Sequence, residues 1–152
     1  PGKGAGYLRE ILDEIRVMTG ALAVGTARAA LEDSLAYAQE RVQFGKPISK
    51  FQAIKLHLAE MDTSIEVARS FVLYAAWRSD RGLDNTKEAA MAKLFASEAA
   101  VDVCDKAARV LASYGYAMEY PIQRYLRDIR FTLIGGGTSE ILKLIIAKEM
   151  GT

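Results

Sequence analysis

The chain has 152 residues, 51% of them hydrophobic and 26% charged, which suits one domain with a full apolar core and excludes a disordered tail. Twenty Lys and Arg against nineteen Asp and Glu leave a net charge of +1, so no basic field recruits nucleic acid or an anionic membrane surface. One Cys and one His exclude a disulfide framework and a Cys/His metal cage; with no visible secretory signal or membrane-spanning apolar run, they point to the reducing cytoplasm.

The three prolines fall outside the long apolar patterns, which predicts helices. A short helix is expected from Tyr7 to Glu14 and a longer one from Ile15 to Phe44. Gly20 and Gly25 within the longer one cost helix propensity, for which close approach of another backbone or a ligand is the usual compensation. Phe44-Gly45-Lys46-Pro47 ends that helix, and Ser49 is placed to cap the next. From Phe51, apolar or small residues recur at Ile54, Leu58, Met61, Ile65, Ala68, Val72 and Ala75, alternating steps of three and four that lie on one helical stripe.

A second stripe runs through Ala90, Leu94, Ser97, Val101, Cys104, Ala108 and Leu111, with Thr86 as its expected cap and Glu88 in its first turn. Pro121 opens a short helix from Ile122 to Phe131, and Ser139 to Met150 forms the last. No strand alternation competes. Three long and two short helices with short connections predict an all-α, up-and-down helical bundle.

Two segments carry chemistry. In Ile134-Gly135-Gly136-Gly137-Thr138-Ser139-Glu140-Ile141, glycines allow close backbone approach and the helix start attracts anions. A capped turn, with Thr138 as cap and Glu140 complementing the dipole, explains the same residues. In Arg41-Val42-Gln43-Phe44-Gly45-Lys46, with Gln52 across the turn, Arg can clamp phosphate, Phe can stack on a planar ring and Gln can bond a base edge. Basic residues at a helix end also suit the dipole alone. His57 has no Ser or Cys partner at catalytic spacing and reads as a boundary residue; Cys104 reads as a small core group. Glu10, Asp13 and Glu14 read as a solvated face.

Taken in order, these motifs give the chain a resemblance that spans essentially its whole length. Gly4-Ala5-Gly6-Tyr7, then Glu40-Arg41-Val42-Gln43-Phe44-Gly45-Lys46-Pro47-Ile48 with Phe51-Gln52, resemble the C-terminal helical domain of the acyl-CoA dehydrogenase family. So do Gly115-Tyr116, Glu119-Tyr120-Pro121, Arg127-Asp128 and Gly137-Thr138-Ser139-Glu140-Ile141. The resemblance makes 1–152 a single C-terminal helical bundle domain of a longer protein, without the family's N-terminal helical and middle β domains.

The resemblance implies a flavoenzyme that removes the α-proton of an acyl-CoA thioester with a carboxylate while FAD takes the β-hydride. Carried over by position, Arg41, Phe44 and Gln52 lie along the FAD of a neighbouring subunit, and Thr138 and Glu140 approach the FAD of their own. Asp13 and Arg16 match positions lining the acyl-CoA site. The family is mostly tetrameric, homo- or hetero-, and usually passes electrons to an electron-transferring flavoprotein. No metal is implied.

The departures concern the base. Most members carry the catalytic Glu directly before the Gly-Thr of the last motif, where this chain has Gly136, preceded by Gly135 in place of Tyr. A minority place the Glu directly before the Arg matched by Arg16, where this chain has Ile15. Glu14 is the adjacent candidate, one residue and about 100° away around the helix. Arg109 stands where a Gln is common near the FAD pyrophosphate, and Ala112-Ser113 replace a Gly-Gly pair. The readings are a dehydrogenase with a relocated base, a non-catalytic subunit sharing an active relative's flavin sites, and a helical interaction module without cofactor. The retained set Arg41, Phe44, Gln52, Thr138 and Glu140 argues against the last.

Overall fold

The computed structural model describes residues 2–152. Helix α1 runs unbroken over Gly4–Glu40, in place of the two helices expected. The acidic stretch around Glu14 contains no Pro or Gly to break it, and Thr19 adds a hydroxyl bond back to the Ile15 carbonyl at 2.8 Å. The helix ends at Glu40 rather than Phe44, because Arg41 turns extended (ψ 118°).

A two-residue hairpin follows, in which β1 (Val42–Gln43) pairs antiparallel with β2 (Lys46–Pro47). Phe44 (φ 51°) and Gly45 (φ 79°) form its turn, the left-handed pair that matches strand twist. Strand pairing therefore exists where the end of a helix and its terminating turn were expected; pairs this short leave no alternation to read.

Helix α2 spans Gln52–Asp80 with Phe51 at its N-cap position, and Ser49 lies in the 3-10 turn before it. Helix α3 spans Thr86–Leu111. Asn85, not Thr86, holds the cap position, and its side chain donates instead to the Ala75 carbonyl at 2.9 Å, stapling the α2–α3 turn. Helix α4 covers Ile122–Asp128 and continues as a 3-10 segment to Leu133. Helix α5 covers Ser139–Glu149 and is capped as expected by the Thr138 hydroxyl, which accepts from Ile141 N–H at 3.5 Å.

The five helices form the all-α bundle. Small residues make its centre: Gly20, Ala23, Ala27 and Ala30 of α1 are buried against Ala92, Ala96 and Ala100 of α3. A Cβ on Gly20 would stand 3.0 Å from Val72 Cγ2, so close packing offsets its helix cost. Gly25 faces open space within this chain. Met61, Ile65, Ala68, Val72 and Ala75 of α2 close the core as one stripe. On α3, Ala90, Ser97, Cys104 and Leu111 are buried and the alternate members Leu94, Val101 and Ala108 are half-buried. Among the described residues, no helix is long and apolar enough to cross a membrane.

Candidate active site

The loop between α4 and α5 folds onto the N-terminal half of α1. Gly136 adopts φ +75°, and a Cβ built on it would meet Thr19 Oγ1 at 3.3 Å, Ile15 Cγ2 at 3.5 Å and Arg16 Cα at 3.9 Å. Positions 136 and 15, far apart in the chain, thus face the same small space. Side chains at the two positions, where the resemblance expects a base, would share this space. In this chain that space has glycine on one side and isoleucine on the other.

Two buried cations support it. Arg16 is 5% exposed; its Nη1 donates to Asp13 Oδ1 at 2.6 Å and its Nε to the Gly136 carbonyl at 3.4 Å. Asp13 is held on its other oxygen by the Thr86 hydroxyl at 2.6 Å. Lys93 is 0% exposed and its Nζ donates to the Gly137 carbonyl at 2.6 Å. Burial, reinforced by the nearby Arg16 charge, lowers the Lys93 pKa. Asp13 and Arg16 therefore meet at this point, and Lys93 and Thr19 join them.

Neither Lys93 nor Thr19 was singled out from sequence. The available signal was Lys93 as the lone charge between Glu88 and Glu98 in an Ala-rich run.

Glu14 lies elsewhere. It is exposed and lines a polar groove with Asp84 and Thr86 against the α2–α3 turn. The structure does not bring it to the space beside Gly136. A Cβ on Gly135 would fall 2.6 Å from Phe131 Cζ, the tip of an exposed ring that is free to swing aside.

At the start of α5, Glu140 is exposed beside the Thr138 cap. Its own backbone N–H and then the Thr138 hydroxyl hold its carboxyl below the usual range.

Arg41, Phe44 and Gln52 gather around the hairpin at the other end of α1. At about 1.5 Å per residue, the run from Arg16 to Glu40 separates the two groups by roughly 36 Å. Phe44 is 92% exposed and meets Phe51 edge-on at 6.1 Å. Lys46 Nζ sits 4.4 Å over the Phe51 ring, and the Arg41 guanidinium 5.8 Å from the Tyr114 ring. Arg109 is exposed and donates to Asp105 at 2.7 Å. Just beyond it Ala112 holds φ 54°, ψ −126°, a conformation that favours glycine.

His57 is half-buried. Cys104 is fully buried and free, with burial pushing its thiol up to about 12.

The sequence model for the acyl-CoA dehydrogenase C-terminal domain matches residues 2–151. The chain belongs to this family. It is 65% identical to benzylmalonyl-CoA dehydrogenase of Aromatoleum aromaticum over 151 residues, 99% of this chain and 40% of that relative. Its fold superposes on butyryl-CoA dehydrogenase from Megasphaera elsdenii with TM-score 0.98 and 40% identity, covering 100% of this chain and 40% of that one. It matches the structure of PigA with FAD and proline at TM-score 0.95 and 32% identity, over 99% of this chain and 39% of that one. The chain thus spans about two fifths of the proteins it matches.

Proposed function

We propose that this chain is the C-terminal bundle of an FAD-dependent enzyme that dehydrogenates an acyl-CoA thioester between Cα and Cβ. The observation that carries the reading is the convergence of Ile15, Arg16 and Thr19 on Gly136, next to the capped start of α5. The meeting of these two chain segments, with Asp13 and Thr86 holding Arg16, supports a reaction point at this place.

The exposed groups suit FAD. Phe44 offers an uncovered aromatic face, Arg41 a cation for phosphate and Gln52 an amide for a ring edge, all in one exposed cluster. Arg109 adds a second cation near the same end, while Thr138 and Glu140 serve the flavin of their own subunit. The distance of Arg41, Phe44 and Gln52 from Arg16 supports a site shared between subunits. When bound, FAD accepts the β-hydride. The chain's own part is to seat the thioester beside Gly136, with Arg16 and Lys93 supplying positive potential where negative charge develops on the thioester.

An exposed apolar stripe at Tyr7, Ile11, Met18 and Leu22 of α1 supports a longer parent in which the N-terminal helical and β domains cover that face. Exposed Val67, Leu73 and Trp77 of α2, with Phe95 of α3, support assembly into a homo- or hetero-tetramer. Cytoplasmic residence and an electron-transferring flavoprotein as acceptor complete the reading.

A second reading is a non-catalytic subunit that shares the flavin sites of an active relative. What favours it is that both base positions, Gly136 and Ile15, lack a carboxylate. The visible spectrum of the purified full-length parent, with a panel of acyl-CoA thioesters, separates the two. Bleaching of the oxidised-flavin band by any thioester supports the dehydrogenase; a band that none bleaches supports the subunit.

A further inference from the structure

The missing carboxylate is a property of a place, not of one residue. Gly136 and Ile15 face each other across a narrow gap, a Cβ on the glycine standing 3.5 Å from Ile15 Cγ2, and neither position carries a carboxylate. What remains around that gap is apolar or positive. Ile15 and the glycine offer no charge, Thr19 commits its hydroxyl proton to the Ile15 carbonyl, and Arg16 and Lys93 are buried behind the loop. Asp13, the nearby acid, has both oxygens engaged by Arg16 and Thr86. Lys93 in particular is a buried cation whose bond goes to a carbonyl rather than a carboxylate. Buried cations are ordinarily paired with anions.

We propose that the substrate itself brings the anion: a malonyl-type thioester, carrying a carboxylate on Cα, whose decarboxylation replaces removal of the α-proton. The inference rests on the dehydrogenase reading and refines its substrate class. The Cα–carboxylate bond breaks and CO2 leaves. Its electron pair becomes the Cα–Cβ π bond as the hydride departs from Cβ to the FAD that the activity already supplies. One negative charge leaves with the hydride, and no proton is released, so no base is needed.

The residues fit this division of labour. A Glu at position 136 or 15 would set like charge against the substrate carboxylate. Arg16 is neutralised by Asp13, so the charge that attracts that carboxylate is Lys93, bonded only to a carbonyl, while the Ile15 wall gives it no donor and favours its loss as neutral CO2. The relative at 65% identity is named for a malonyl thioester, which agrees in substrate class.

The test uses the flavin-loaded full-length parent with benzylmalonyl-CoA deuterated at Cα, and 3-phenylpropionyl-CoA as the uncarboxylated control. The expected result is flavin bleaching by the first alone, one CO2 per flavin reduced, and deuterium retained in the product. A readout independent of turnover is binding: malonyl-CoA should bind roughly tenfold tighter than acetyl-CoA, about 1.4 kcal/mol. Ile15→Glu should erase that preference and confer α-hydrogen exchange on 3-phenylpropionyl-CoA.

Deuterium lost to solvent, or a product that keeps its carboxylate, overturns the inference. If Glu14→Gln then abolishes the exchange, Glu14 is the base. Bleaching by 3-phenylpropionyl-CoA with solvent exchange at Cα overturns the inference and leaves the dehydrogenase reading standing. Bleaching by neither thioester overturns the inference, and bleaching by no member of the acyl-CoA panel overturns the dehydrogenase reading with it.

Discussion

Lys93 Nζ donates to the Gly137 carbonyl at 2.6 Å, tying the middle of α3 to the loop that opens α5. The lysine is fully buried, and this one bond fixes the height of the glycine loop above the Ala-rich face of α3. The loop in turn sets where position 136 faces α1.

Burial and then the Arg16 charge lower the Lys93 pKa below 10.5. In the window between the lowered folded value and 10.5 the unfolded chain binds more protons than the folded one, so stability rises with pH there. Lys93→Met removes the titrating group. The stability difference between the parent and this variant, followed by thermal unfolding as pH approaches 10.5, should shift in favour of the parent. A pH-independent difference contradicts the assignment.

Ala112 follows α3 at φ 54°, ψ −126°, a region where a Cβ is strained and glycine is not. Ala112→Gly should raise stability by about 1 kcal/mol, since relief of strain exceeds the entropy added to the unfolded chain. An unchanged or lower melting temperature counts against that balance.

Much of the fold was legible because its code is periodic. Met61 to Ala75 repeats at the helical step, and the same residues line the core. The Thr138 cap was legible because its hydroxyl bond is local. The hairpin was not, since Val42–Gln43 and Lys46–Pro47 are too short to alternate. The break expected between Glu14 and Ile15 is one that no residue enforces. The burial of Lys93 runs against the habit of its residue type. The pairing of Ile15 with Gly136 joins opposite ends of the chain. Only the tertiary fold shows that positions 15 and 136 are neighbours.

Gly115 is required by close approach. A Cβ there would fall 2.5 Å from the Ala108 carbonyl oxygen and 2.8 Å from Ala108 Cα, backbone atoms of α3 that cannot swing aside. Gly115→Ala should destabilise by about 2–3 kcal/mol and displace Tyr114, whose ring packs against Tyr37 and Tyr120. Near-ultraviolet circular dichroism reads that displacement, and an unchanged aromatic signal with unchanged stability contradicts the contact.

Phe44 is 92% exposed and contributes little to the bundle, so Phe44→Ala should change folding stability by no more than about 0.5 kcal/mol. If its ring is there to lie along FAD, the same variant should lose flavin on dilution, read as the ratio of flavin to protein absorbance after gel filtration. Arg41→Ala should behave alike through loss of a charged phosphate contact. Arg109→Ala should lose less, because Arg109 already spends a donor on Asp105. Parent-like flavin retention in both Phe44→Ala and Arg41→Ala would remove the hairpin from the cofactor site, and retention lost only in Arg109→Ala would move the phosphate contact to the end of α3.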